Sequence, residues 1–300
     1  MSPTDGPSPA DLPQVAVITM ARDEGPMLRR WVEHYSREVG AHNLVVVDDN
    51  STDGSTDDLP CPVLRIPPLT KKSFEPARMG LLGGLSAGLL EAYDAAIFCD
   101  VDEFIVADPK VHASLRHFVA ARPGRQAVGV MGLNLVHDVT REPALVEGEP
   151  ILGQRQLAKF LPLMCKPSLK WEPANWALAS HGIRCPFEVD PELFMFHMKF
   201  ADRDHLKAVA DRRHEMFRTD GRAAKTSWER SGGDMVNLLD EITAEIDHDA
   251  IKPFGPPLKK LPGIVEQSAP DVWRAVGGGQ VQAMRNRPFV RVPDRFLGRV

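Results

Sequence analysis

Three runs of this chain are continuously apolar and rich in β-branched residues: Val15 to Met20, Leu44 to Val47 and Ala95 to Cys99. A strand with one wet face alternates polar and apolar side chains. A run without alternation has to be covered on both faces, as parallel strands are in an open α/β sheet. Pro26 to Val39 opens on a proline and places its apolar residues on one side, the pattern of a helix packed against such a sheet. Val63 to Ile66 supplies another short strand and Pro76 to Tyr93 a second helix. This alternation over roughly the first 130 residues predicts an α/β fold with an open, mostly parallel sheet flanked by helices.

Further on, His112 to Ala121 reads as a helix and Ala127 to Leu133 as a strand, while residues 140–195 are rich in proline and carry no clear period. Asp202 to Arg218 is a charged helix whose charges are expected to face water. Asp234 to Asp247 is a helix with Met235, Leu238, Leu239, Ile242 and Ile246 along one side. TSWERSGGD, KPFGPPLKKLPG and the tail from Gly277 have the chemistry of loops or extended arms. The GG-containing loop near Gly232 and the proline-rich arm from Lys252 to Gly263 are candidate covers for a binding site. These shifts divide the chain into a disordered tail at 1–13, a catalytic domain at 14–200 with halves 14–133 and 134–200, and a helical and extended region at 201–300.

With 300 residues, 43% of them hydrophobic and 26% charged, the chain can bury a large core. Its net charge of -5 lacks the basic excess of a dedicated nucleic-acid binder, so nucleic acid is not an expected partner. The opening MSPTDGPSPADLPQ lacks the basic-then-apolar order of a secretory signal. The stretch from Met79 to Leu90 falls well short of the ~20 apolar residues of a membrane span. A cytoplasmic protein without a membrane span is the resulting expectation. Cys61, Cys99, Cys165 and Cys185 are scattered without metal-binding spacing and read as reduced structural thiols. Oligomeric state is not legible.

Chemistry-bearing residues gather where two of the strands end. The second strand runs into Asp48-Asp49-Asn50-Ser51-Thr52-Asp53-Gly54-Ser55, at the carboxyl edge where open sheets bind ligands. A carboxylate there can accept from a ribose hydroxyl or a base N–H; equally, Asp, Asn, Ser and Gly are what any tight turn uses. The run from Ala95 ends in Asp100-Val101-Asp102-Glu103. In extended geometry Asp100 and Asp102 project to one side. Three acids at the end of an apolar strand repel unless a cation or hydrogen bonds compensate. One or two carboxylates completed by phosphate oxygens and water suit Mg2+ or Mn2+. Together the two clusters fit a nucleotide-diphospho-sugar: a carboxylate for the nucleoside, and a metal that stabilises the departing nucleoside diphosphate. Arg78, near the start of the helix before the second cluster, stands where it could reach the phosphates.

VAVITMARDEGPMLRRWVEHYSREVGAHNLVVVDDNSTDGS followed by AIFCDVDEFIVAD resembles the family 2 glycosyltransferase superfamily, in particular its branch with a DxDEF signature, related to family 92. The resemblance covers about residues 14–135 and implies a GT-A fold, a nucleotide-sugar donor, Mn2+ or Mg2+, and usually inversion at the anomeric carbon. It implies Asp49 at the nucleoside, with Arg22, Asp23 and Glu24 lining the first loop. Phe194-Met195-Phe196-His197-Met198-Lys199 matches the branch's apolar-His-x-Lys pattern. That match implies His197 as a metal ligand beside Asp100 and Asp102, with Lys199 on the diphosphate. The family's acidic pair before a helix is not clearly present. The base for the acceptor hydroxyl is therefore sought between Trp171 and Asp190, with Glu188 and His181 as candidates. The acceptor, whether saccharide, lipid-linked or small molecule, and the donor's base and sugar are set by pocket shape rather than by a readable motif.

Three other readings compete. A dinucleotide-binding oxidoreductase needs a glycine-rich first turn, and Ala21-Arg22-Asp23-Glu24-Gly25 puts bulky acids there. A phosphohydrolase of the haloacid dehalogenase type also ends a strand in DxD, but on its first strand, whereas VVVDD comes earlier here. A degenerate GT-A domain serving as a binding module in glycan assembly would keep the apolar pattern and lose the acids, which this chain retains.

Overall fold

The computed structural model describes residues 11–69, 74–224, 226–244 and 246–300. Most of the expected disordered tail, residues 1–10, lies outside them. From Leu12 the chain is anchored, because the Arg116 guanidinium donates to the carbonyls of Leu12 at 2.6 Å and Pro13 at 2.9 Å.

Strand β1 (Val15–Ala21) is buried along its whole length because it has a parallel neighbour on each side, β2 (Leu44–Asp48) and β4 (Ala95–Phe98). Strand β3 (Val63–Arg65) continues the parallel set beyond β2. Helix α1 (Gly25–Val39) buries Met27, Leu28, Trp31, Val32, Tyr35 and Val39 at helical spacing, and helix α2 (Phe74–Leu89) packs on β1 and β4. Two side chains of α1 hold the chain just after β4. The Tyr35 hydroxyl donates to Glu103 O (3.0 Å) and accepts from Ile105 N (2.8 Å) at strand β5 (Glu103–Ala107). Trp31 Nε1 donates to Cys99 Sγ at 3.4 Å.

The remainder adds helix α3 (Leu115–Ala120), strand β6 (Ala127–Val136), the single turn α4 (Ile151–Gln154), and strands β7 (Leu157–Phe160), β8 (Leu169–Lys170), β9 (Trp176–Ala177), β10 (Gly182–Ile183) and β11 (Glu188–Phe200). It ends with helices α5 (Arg203–Asp220) and α6 (Gly232–Thr243), strands β12 (Val265–Ala269) and β13 (Val272–Ala275), helix α7 (Gln280–Asn286) and strand β14 (Phe289–Arg291). The main sheet has ten strands in the order β14-β7-β6-β8-β4-β1-β2-β3, with β11 joined through β6 and β5 through β11. It is a mixed α/β sheet flanked by helices: β3, β2, β1 and β4 are parallel, as are β6 and β11, and β5, β7, β8 and β14 pair antiparallel. A second, antiparallel sheet runs β12-β13-β10-β9. Residues 140–195 showed no period because most of their strands are two to four residues long, too short to display one.

The end of the chain is more structured than its loop chemistry suggests. The glycine pair at Gly232 opens α6, where Ser231 and Asp234 cap each other's backbone. Phe254 of the proline-rich arm is buried against Phe160 and Phe194. The tail from Gly277 forms α7 and then β14, an edge strand paired with β7. One apolar core reaches from Val15 to Val300. All four cysteines are buried free thiols, and no described helix is long and apolar enough to cross a membrane.

Gly132 on β6 lies so close to Met164 that a Cβ would meet that residue's Cβ and carbonyl oxygen at 2.5 Å. Gly132→Ala is therefore expected to lower the unfolding free energy by about 1–3 kcal/mol. The change would be read as a lower urea midpoint at an unchanged m value.

Candidate active site

The chain runs outward from β1 to β2 and β3, then returns to the other side of β1 with β4. A crevice at such a reversal, beyond the carboxyl ends of the strands, is where open α/β sheets bind ligands. Here it is a cleft of about 330 Å3. Of the residues singled out above, Arg22, Glu24, Asp49, Arg78, Asp100, Asp102, His181, His197 and Lys199 line it; Asp23 and Glu188 do not.

The acidic turn after β2 puts two adjacent carboxylates in different surroundings. Asp48 is buried and closes the turn, accepting from Ser51 N (2.7 Å), Thr56 Oγ1 (3.0 Å) and Arg65 Nε (2.7 Å). Asp49 faces the cleft, where Oδ1 accepts from Leu69 N (2.7 Å) and Oδ2 stands 3.4 Å from Arg222 and 3.6 Å from Arg22. Asp23, expected to line the first loop toward the donor, instead joins the two loops. Its carboxylate accepts from Thr52 N at 2.6 Å and Asp53 N at 3.1 Å, which uses it up as a local tie. Arg22 Nε and Nη1 are buried without a hydrogen-bond partner.

The end of β4 carries the densest charge. Asp100 is gripped by the Arg78 guanidinium at Oδ1 and by Lys166 Nζ at Oδ2 (3.3 Å). Burial alone would raise its pKa, but these two cations hold it below the ordinary carboxylate range. Lys166 also donates to Glu103 at 2.5 Å, and although burial opposes its charge, Glu103 and Asp100 push its pKa up. Asp102 Oδ2 lies 3.3 Å from His197 Nε2, brought there by the hydrogen bond from Met198 N to Asp102 O (2.8 Å). Burial would raise the Asp102 pKa too; its interactions with His197 and Arg213 outweigh it and hold the carboxylate low. On its other side His197 Nδ1 meets Asn134 Oδ1 at 2.7 Å. Lys199 Nζ donates to Ser227 Oγ (3.1 Å) and Gln280 Oε1 (3.2 Å), and burial lowers its pKa to about 8.

Of the two candidate bases, His181 lines the cleft and its Nδ1–H donates to Leu163 O at 2.9 Å, leaving Nε2 as an acceptor. Burial, helped by the charge of Lys166, lowers its pKa to about 3 and keeps the ring neutral. Glu188 stands at the opposite end of β11 from His197, is exposed, and pairs with Arg125 at 3.3 Å. At ~3.3 Å per strand residue that position is remote from the cleft, so geometry gives it no part there.

Several lining residues carried no sequence signal. Lys166 lies in the stretch without a period. Arg213 lies in the helix read as solvated, yet it is turned inward, 3.4 Å from Glu24, whose pKa burial raises. Arg222 and Trp228 follow α5, with Phe74 packed 5.7 Å from the Trp228 ring and 5.4 Å from the Arg222 guanidinium. Of the two proposed covers, the loop that contains the glycine pair reaches the cleft through Thr226, Ser227 and Trp228, with Arg222 just before it, whereas the proline-rich arm does not line it. Among the described residues, no three or more His, Cys, Asp or Glu side chains are grouped to hold a metal ion. Asp102 and His197 nonetheless offer an oxygen and a nitrogen donor to one point, and substrate phosphates and water usually complete the shell of Mg2+ or Mn2+.

No protein-family profile matches the chain, and no curated protein sequence does. Solved structures to which the chain is distantly similar include a mannosyltransferase from Pyrobaculum calidifontis in complex with GDP-Man and Mn2+, 19% identical over 43% of this chain and 38% of that one, at a TM-score of 0.28. Another is S. aureus TarS, 11% identical over 66% of this chain and 39% of that one, at 0.36. A third is CMP:2-keto-3-deoxy-manno-octonic acid synthetase with CTP, 13% identical over 53% of this chain and 65% of that one, at 0.28. The chain thus spans well under half of the first two, and at these TM-scores the meaning of the cleft rests on its own geometry.

Removing the Lys166 ammonium leaves the buried Glu103 without its partner, beside a half-buried Asp100 still paired with Arg78. Lys166→Met is expected to cost about 3–5 kcal/mol of stability at pH 7, measured by chemical unfolding.

Proposed function

We propose that the chain is a metal-dependent glycosyltransferase that moves a sugar from a nucleotide-diphospho-sugar to an acceptor hydroxyl, with inversion. The observation that carries this reading is the convergence of Asp49, Asp102 and His197, from three separate parts of the chain, on one cleft also lined by Arg22, Arg78, Lys166, Lys199 and Arg213. Asp49 suits a ribose hydroxyl or a base N–H. Arg22, with two guanidinium nitrogens lacking a hydrogen bond, suits a phosphate or base oxygen. Asp102 and His197 would hold Mn2+ or Mg2+, while Asp100 stays with Arg78 and Lys166. That ion, when bound, supplies Lewis-acid stabilisation of the leaving diphosphate.

The chain's own cations add to this. Arg78 and Lys199 line the same cleft and would stabilise the negative charge that develops on the leaving group, the more so in a partly dry cleft. In the transfer the acceptor oxygen bonds to the anomeric carbon as the bond from that carbon to the diphosphate oxygen breaks with its electron pair. A base takes the acceptor's proton. His181, neutral and with Nε2 free to accept, is the side chain we assign to that role. A phosphohydrolase mechanism is less well supported, because both oxygens of Asp100 are committed to cations and so poorly suited to attack phosphorus.

Thermal unfolding with a panel of nucleoside diphosphates and nucleotide sugars, with and without Mn2+, tests the donor site. A ligand that binds only the folded chain adds about 2.7 kcal/mol at 100 times its Kd. The expected result is stabilisation by one nucleotide that requires Mn2+ and is lost in Asp102→Asn; no response to any nucleotide would remove the transferase reading and favour a binding module. For the base, His181→Ala should lower kcat about 100-fold or more, with Glu188→Ala at wild-type rate. A loss of less than about tenfold in His181→Ala would withdraw His181 from this role.

A further inference from the structure

His197 is useful to a cation only if its Nε2 carries a lone pair rather than a hydrogen, and an isolated imidazole does not make that choice. The surrounding residues do. Asn134 on β6 is the direct cross-strand neighbour of His197 on β11, and it is fully buried. Its Oδ1 lies 2.7 Å from His197 Nδ1 and accepts from Gln280 Nε2 at 3.2 Å; Gln280 Nε2 also stands 3.4 Å from Nδ1, a longer contact than the one Asn134 makes. Gln280 in turn accepts from Lys199 Nζ through Oε1, at 3.2 Å. A lysine ammonium can only donate, so Gln280 must present its oxygen to Lys199 and its amide N–H toward Asn134. Asn134 must then answer with its oxygen, because turning the amide over would set two N–H donors against each other. An oxygen facing His197 Nδ1 requires the hydrogen to be on Nδ1, and in the neutral ring Nε2 then carries the lone pair, 3.3 Å from Asp102 Oδ2. Two acceptors that close repel unless a positive species lies between them.

We propose that Asn134 and Gln280 are positioning residues: oriented by Lys199, they hold the hydrogen of His197 on Nδ1 and so present Nε2, with Asp102, to a divalent cation. This rests on the metal reading given above and explains why a histidine rather than a third acid completes the pair. Ligating histidines generally depend on such a partner at the other nitrogen, and its removal weakens metal binding 10–100-fold. Asn134 Nδ2, buried without a hydrogen bond, is the cost of this orientation. The amide keeps its oxygen toward His197 although its own nitrogen goes unsatisfied.

The test uses the full chain labelled with 15N-histidine, free of metal and under conditions where the ring is neutral, with His197 identified by the signals lost in His197→Gln. Nitrogen chemical shifts report directly which ring nitrogen is protonated. The expected result is a hydrogen on Nδ1 in the wild type. Mn2+ is then titrated, followed by electron paramagnetic resonance, with UDP, GDP, CDP or ADP present. Asn134→Leu should bind Mn2+ 10–100-fold more weakly, and Asn134→Asp, whose oxygens can only accept from a neutral ring, should retain wild-type affinity. A wild-type ring protonated on Nε2, or Mn2+ binding indifferent to Asn134→Leu, would overturn this inference alone. A wild type that binds no Mn2+ with any of these nucleotides would overturn the metal reading itself.

Discussion

Asp100, Asp102 and Glu103 crowd the end of β4, and their mutual repulsion has to be offset before that end of the sheet can be buried. The compensation comes from three directions: Arg78 from α2, Lys166 from the segment before β8, and His197 from β11. None of these is a sequence neighbour of the acids. Buried ion pairs of this kind contribute little net stability compared with apolar packing, but leaving one partner alone is costly. The result is that the acids can exist only with the late strands docked, and the charge cluster ties the parallel part of the sheet to the mixed part.

The same economy of position governs the loops at the sheet edge. Successive side chains at the end of a strand point to opposite sides, so Asp48 turns into the loop and caps it while Asp49 turns out to the cleft. The pair Asp23 and Glu24 divides similarly, one tying the first loop to the second and the other facing Arg213. Roles that are chemically interchangeable in the sequence are thereby separated by a single residue of register.

The parallel strands were legible because burial on both faces leaves a direct mark, an unbroken apolar run, and α1 because its apolar residues recur at helical spacing. The end of the chain carries no such mark: β14 and α7 are short, and β14 is a strand only through its pairing with β7, not through a pattern of its own. Helix α5 shows a related limit. Charge on a helix says that the helix is not wholly apolar, but whether Arg213 meets water or Glu24 depends on what packs beside it.

What the sequence by itself determined is the set of strands around β1 and the two acidic clusters that end them, because both follow from local patterns of apolarity and charge. Which acid faces the cleft, and which cations oppose it, was decided only by the tertiary structure. So was the hydrogen-bond chain from Lys199 through Gln280 and Asn134 to His197, whose polarity follows from donors and acceptors lying far apart in the sequence. Their orientation is a property of contact geometry, and contact between β6, β11 and α7 exists only once the sheet has closed around them.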